Sequence, residues 1–268
     1  MILSPYKVRK TMMIVSHEQR SAEPYPWRYF RSWLWLLVGS LVFAVTAAAG
    51  MAIKGSGPKI AELGVDTALA QDRNPALTAL SLAIHYGLGP AGAVIIVLAS
   101  CLILTVARRN LASTLTFVSV VSIGWLASEV GKRIVERLRP PSDAVQALIP
   151  EHGMDSFPSG HTAFAVALVW AFVLVVARTP RAQMVTMAVG AVFVAVVAFT
   201  RLYLGVHYPS DVIASVFIAS AAILAWLPVW NNLIAHRFGT RNRTPDPVPG
   251  QLNQDGRHTE QQTAKDHP

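Results

Sequence analysis

Cysteine is all but missing from this 268-residue chain: Cys101 is the only one. That excludes an internal disulfide and a thiolate metal cluster, and its place inside an apolar stretch makes it a small packing residue. Charge is scarce too. Charged residues make up 14% of the chain against 53% hydrophobic, whereas a soluble domain carries about 25% charge. Acidic residues are the rarer sign, 15 against 23 basic, for a net charge of +8. No carboxylate cluster shows metal-ligand spacing, so neither a metal nor a cofactor is expected. The basic residues form no runs interleaved with aromatics, which argues against a nucleic-acid partner. There is no internal repeat.

What the chain has instead is long apolar blocks. Six of them, each of roughly 18–21 residues and so able to cross a hydrocarbon core as helix, fall at about 33–53, 90–107, 111–130, 161–177, 182–200 and 211–230. They predict an all-α polytopic bundle of six transmembrane helices in one domain, 33–236. Ala47-Ala48-Ala49-Gly50 resembles a cleavage site, but the apolar run is longer than a secretory h-region, so a span is the better reading. Residues 1–32 read as a loose basic arm and 237–268 as a disordered polar tail. Of the 23 Lys/Arg, 15 lie in the arm, in the tail, or at Arg108-Arg109, Arg178 and Arg181. The positive-inside rule places these, and both termini, on the cytoplasmic side of the cell (inner) membrane. The other connections are then external. The longest, 54–89, holds two amphipathic stretches too short to span, suited to the membrane surface or to covering a site. His85 in that connection reads as an interfacial, structural histidine.

Three polar clusters interrupt the apolar chain at its external side. Lys132 and Arg139 end the third block, seven residues apart and predicted on one helix face. Alone they read better as a solvated charged edge, with Glu129 and Glu136 in pairing range. Pro158-Ser159-Gly160-His161 opens the fourth block. A helix N-terminus offers unpaired N–H groups and a partial positive charge to an anion; Ser159 stands at the N-cap, and Gly160 allows close approach. Arg201 closes the fifth block, and His207 and Asp211 flank the start of the sixth. A carboxylate four residues from a histidine is placed to accept its ring N–H and fix the tautomer, although Asp211 could equally complement the helix N-terminus. Together the clusters supply what is needed to hold a phosphoryl group, attack it and protonate what leaves.

Their order and spacing resemble the type 2 phosphatidic acid phosphatase family, membrane relatives of the vanadium haloperoxidases. The pattern is Lys, six residues, Arg-Pro; then Pro-Ser-Gly-His; then Ser-Arg, five residues, His, three residues, Asp. Here it reads Lys132 to Arg139-Pro140, Pro158 to His161, and Thr200-Arg201 to His207 to Asp211, with Thr200 in place of serine. The resemblance implies that His207 is the nucleophile, forming a phosphohistidine oriented by Asp211, and that His161 is the acid and then the base. It assigns Lys132, Arg139, Ser159, Gly160 and Arg201 to phosphate binding. It implies a metal-independent hydrolase acting on a lipid phosphate ester or anhydride drawn from the outer leaflet. Undecaprenyl pyrophosphate is the preferred substrate, with phosphatidylglycerophosphate or phosphatidate as alternatives. A lipid phosphotransferase would present the same site. A transporter is the rival from another class, but the spans lack the deep ionisable residues it would carry. Oligomeric state is left open.

Overall fold

The computed structural model describes residues 26–56 and 60–235. Every regular element among them is helical. After a short 3-10 turn, Pro26–Tyr29, come α1 (Leu34–Gly55), α2 (Ile60–Gln71), α3 (Pro75–Leu88), α4 (Pro90–Arg108) and α5 (Leu111–Val135). A one-turn α6 (Ser142–Val145) precedes α7 (Gly160–Ala171), α8 (Pro180–Tyr203) and α9 (Pro209–Val229). Prolines at the first turns of α3, α4, α8 and α9 start those helices where a missing N–H costs nothing. Asn74, Asn110 and Thr179 cap α3, α5 and α8 with side-chain oxygens.

Five helices are long and apolar enough to cross a bilayer: Leu34–Gly55, Pro90–Arg108, Leu111–Val135, Pro180–Tyr203 and Pro209–Ile234. They make this a multi-pass membrane protein. The fourth expected span, 161–177, is present as the shorter apolar helix Gly160–Val176, whose last turn, Phe172–Val176, widens to π-type. The two stretches of the long 54–89 connection form α2 and α3. Most of the expected arm (residues 1–25) and the expected tail (237–268) lie outside the described residues.

α5, α7 and α9 form the centre. Phe117, Val120 and Val121 of α5, Phe164, Ala167 and Ala171 of α7, and Ile223 and Leu227 of α9 are buried together. α1 lies along α9 at backbone distance: a Cβ on Gly39 would collide with the Ala221 carbonyl oxygen. α4 and α8 are peripheral and show leucine, isoleucine, valine and methionine outward, as lipid-facing helices do.

α5 ends earlier than the sequence suggests. Glu136 takes a left-handed conformation (φ 50°, ψ 52°) and its N–H bonds back to Lys132. Lys132 and Arg139 therefore do not share a helix face, as expected above; Arg139 lies in the extended segment beyond the cap, before Pro140-Pro141 could act. The chain turns there because a left-handed residue closes the last turn.

Candidate active site

The ends of four helices meet at one end of the bundle. α5 brings Lys132 in its last turn, α7 begins at Gly160-His161, α8 brings Arg201 in its last turn, and α9 brings Asp211 in its first. His207 lies in the turn between α8 and α9, which Gly205 makes with φ +75°. Residues far apart in sequence are thus gathered because antiparallel helices alternate their ends.

His207 is buried, and its Nδ1 lies 2.8 Å from the Ser156 carbonyl oxygen. A carbonyl only accepts, so the ring proton sits on Nδ1 and the Nε2 lone pair is free. Nε2 faces Arg139 at 3.4 Å. Asp211 Oδ2 stands 3.6 Å from Nδ1, behind the Ser156 contact rather than in direct hydrogen bond. Burial pushes His207 down to about 4; Asp211 opposes and Arg139 adds to the shift. The imidazole is therefore neutral at ordinary pH, as a nucleophile must be.

Arg139 and Arg201 converge on one carboxylate. Glu151 forms an ion pair with Arg139 at 2.6 Å and accepts from Arg201 at 3.1 Å. Burial raises the pKa of Glu151, but Arg201 and Arg139 outweigh it and hold the group below its usual value. Arg139 also forks onto Asp155, at 2.9 and 3.1 Å, and donates to the Val206 carbonyl. Lys132 pairs with Glu129 at 2.9 Å and lies 4.0 Å from Asp155. Glu136 pairs instead with Lys54. A Cβ on Gly160 would meet the Lys132 ammonium at 3.5 Å, so this cation rests against the opening of α7.

His161 donates from Nε2 to the His85 carbonyl at 3.0 Å, and the two rings stack with centroids 5.3 Å apart. His85 Nδ1 in turn accepts from Arg201 at 3.0 Å. His85, taken from sequence as structural, is thus part of the site; burial, then Arg201, lowers its basicity and keeps it an acceptor. Ser159 occupies the N-cap of α7 as expected, but its side chain makes no cap bond; its hydroxyl oxygen accepts from Thr162 at 3.2 Å instead. Thr200 donates to Val197 of its own helix, so its hydroxyl is already committed.

The sequence did not single out Arg137, Ser156, Glu62, Glu151 or Asp155. Arg137 is buried and pairs with Asp211 at 2.6 Å and Glu62 at 2.7 Å. The one available signal was its position inside the stretch from Lys132 to Arg139. The others are brought in by loops and by α2, which periodicity does not place.

The profile of the PAP2 superfamily matches residues 109–235, the stretch from the start of α5 to the end of the described chain. The decaprenylphosphoryl-5-phosphoribose phosphatase of Mycolicibacterium smegmatis is 32% identical over 151 residues, covering 56% of this chain and 77% of that protein. The phosphatidylglycerophosphatase B of Escherichia coli is 39% identical over 74 residues, 27% of this chain, and the match spans only 28% of that protein's length. In structure, the chain is similar to a transmembrane PAP2-type phosphatidylglycerolphosphate phosphatase from Bacillus subtilis, with a TM-score of 0.57 and 22% identity, covering 72% of this chain and 94% of that one. That likeness concerns the helical fold. With the motif residues gathered at one end of such a bundle, and a relative matched over most of its length, the chain belongs to the PAP2 superfamily.

Proposed function

We propose that the protein is a metal-independent lipid phosphatase of the cell membrane that works through a phosphohistidine at His207. One observation carries the reading: Nδ1–H of His207 is tied to the Ser156 carbonyl, and its free Nε2 faces Arg139, which with Arg201 already grips a single anion, Glu151. A phosphoryl group takes over those guanidinium contacts, with Lys132 and the N-terminus of α7 holding further oxygens. Nε2 attacks phosphorus as the bond to the lipid oxygen breaks. That oxygen takes the place of the His85 carbonyl and accepts the Nε2 proton of His161, which the bound phosphate dianion holds as imidazolium and which the transfer leaves neutral. Water then attacks the phosphohistidine, passes its proton to His161, and releases inorganic phosphate and neutral His207. Fixed positive charge at the equatorial oxygens is the principal catalytic effect in such a transfer.

The charge bias of the sequence supports a bundle of six spans, with Gly160–Val176 as the fourth, both termini cytoplasmic and the site at the outer face. A lipid phosphate of the outer leaflet is then the natural ligand. Both relatives described above are named for phosphate monoesters, which favours a monoester lipid; undecaprenyl pyrophosphate, preferred from sequence, is the anhydride to set against it. The deciding measurement is phosphate release by purified protein in detergent, in EDTA, from phosphatidylglycerophosphate, phosphatidate and undecaprenyl pyrophosphate. Replacing His207 by alanine is expected to lower release at least about 10⁴-fold; a His207→Ala protein with wild-type turnover would overturn the mechanism. Release abolished by EDTA would overturn metal independence, and phosphate passing only to an added alcohol would mark a transferase.

A further inference from the structure

Behind His207, on the side away from Arg139, lies a closed ring of buried charge that the hydrolytic steps above do not use. Its centre is Arg137. One terminal nitrogen donates to Asp211 Oδ1 and to the Ser210 hydroxyl, both at 2.6 Å, and the other donates to Glu62 Oε2 at 2.7 Å. The guanidinium lies 4.1 Å from the centre of the Tyr208 ring. Glu62 closes the ring with its other oxygen, which accepts the Ser210 N–H at 3.1 Å.

Arg137 governs both acceptors that face the His207 Nδ1. By its side chain it occupies Asp211 Oδ1, leaving Oδ2 to take the Tyr208 N–H at 2.9 Å and the Ser156 hydroxyl at 2.5 Å and to stand beside Nδ1. By its backbone it accepts the Ser156 N–H at 3.0 Å, and the carbonyl of that same Ser156 receives the His207 proton. One residue therefore fixes both groups that face Nδ1, the hydrogen-bonded Ser156 carbonyl and the nearby Asp211 carboxylate. The buried ion pair is not by that fact a source of stability, because desolvating both partners offsets their attraction. Its directional content is clearer: a bound carboxylate whose two oxygens have separate partners cannot rotate.

We infer that Arg137 is a positioning residue for His207, acting through Asp211 and Ser156, and that Glu62 makes α2, a helix of the 54–89 connection, part of the catalytic frame. This rests on the phosphatase reading above. Glu62 holds its charge despite burial, because the hydrogen bonds from Ser210 and Arg137 outweigh it. α2 is thereby tied to the start of α9, next to Asp211, instead of lying loosely over the bundle.

The test uses the purified full chain and the panel lipid that the wild type hydrolyses fastest. Arg137→Met is expected to lower kcat about 100-fold with KM within about threefold, Arg137→Lys to recover about tenfold of that, and Glu62→Gln to lower kcat about fivefold. The distinguishing readout is a double-mutant cycle. In an Asp211→Asn background, Arg137→Met should cost less than about threefold, because the carboxylate it holds is gone. An equal loss of kcat in both backgrounds overturns the proposal, as does a rise in KM with kcat unchanged, which would make Arg137 a phosphate ligand. If Arg137→Met does not elute as a single species, Arg137→Lys in both backgrounds carries the same cycle. A wild-type chain that releases phosphate from no lipid overturns the phosphatase reading and this proposal with it. An active wild type with independent losses overturns this proposal alone.

Discussion

The two sides of His207 are built on opposite principles. On the front, Arg139, Arg201 and Lys132 are all paired, but with carboxylates on loops or at helix surfaces: Glu151, Asp155 and Glu129, which are between a quarter and half exposed. On the rear, Asp211, Ser156, Tyr208 and Arg137 are buried and each accounts for a specific hydrogen bond. The front pairs hold cations in place until another anion arrives; the rear pairs hold a ring in place throughout. A partly exposed ion pair is cheap to break, whereas removing one member of a buried pair strands a charge. On the phosphatase reading, exchangeable contacts sit where the phosphate would enter, and fixed ones where the geometry of the ring must persist.

Of the two sides, the front is expected to give the larger effect. Arg201→Met removes a buried guanidinium from the anion position and should lower kcat/KM about 10³-fold, measured as phosphate release on the preferred lipid; a loss below tenfold would mean that Arg139 alone grips the phosphate. The rear determines the pH response. With His207 lowered to about 4, the neutral nucleophile is present above that value, so kcat/KM should rise with pH through about 4 and stay level into the neutral range. An acidic limb near the ordinary histidine value would mean that Nε2 is solvated and the burial argument wrong. Returning to the front, Glu151→Gln removes the competing anion and should tighten orthovanadate inhibition about fivefold, read as Ki in the same assay. Weaker inhibition would show Glu151 to be a support and not a placeholder.

The smallest effect concerns a group with no part in holding the phosphate or the imidazole. Asp66 of α2 is fully buried, and neither of its carboxylate oxygens has a hydrogen-bond partner. Burial first, then the charges of Asp211 and Glu62, raise it to about 8. Its folded value lies above its unfolded one, so between about 4 and 8 the folded chain holds a proton that the unfolded chain has lost. Stability should fall as pH rises through that window. Asp66→Asn should flatten the slope and raise Tm at pH 8 by about 2–4 °C in detergent, with turnover near that of the wild type. An unchanged slope would place the titration elsewhere.

The front was largely legible in the sequence, and the rear, apart from Asp211, was not. Lys132, Arg139, His161, Arg201 and His207 have spacings set by helix ends, and their residue types suit an anion, so the pattern could be read without a fold. The same logic failed for the placement of Arg139, because a left-handed Glu136 ends α5 a turn early, and no periodicity announces such a cap. It missed Ser156 entirely, since the group that matters is a backbone carbonyl, which every residue has. It also missed Glu62 and read His85 as structural; both lie at least 47 residues before Lys132 and reach the site only when α2 and α3 fold across. Apolar block lengths gave the helices well, the fourth block, 161–177, included: it forms the shorter apolar helix Gly160–Val176, whose last turn, Phe172–Val176, is π-type.

That short helix has a mechanical consequence. The far end of α7 is level with the turn between α4 and α5, where Arg108 donates to the Val176 carbonyl. At the site end, Pro158, just before α7, packs on Gly131 of α5, where a Cβ would come within 2.8 Å; the α5 helix runs on to Val135. α7 therefore opens about one helical turn, roughly 6 Å, below the tip of its neighbour. In a bilayer, a phosphate bound there would be drawn toward the hydrocarbon instead of being lifted out of it, and the membrane beside α7 would have to thin to meet it. On the phosphatase reading, local bilayer thickness beside α7, as well as head-group chemistry, would then bear on which lipids reach His207.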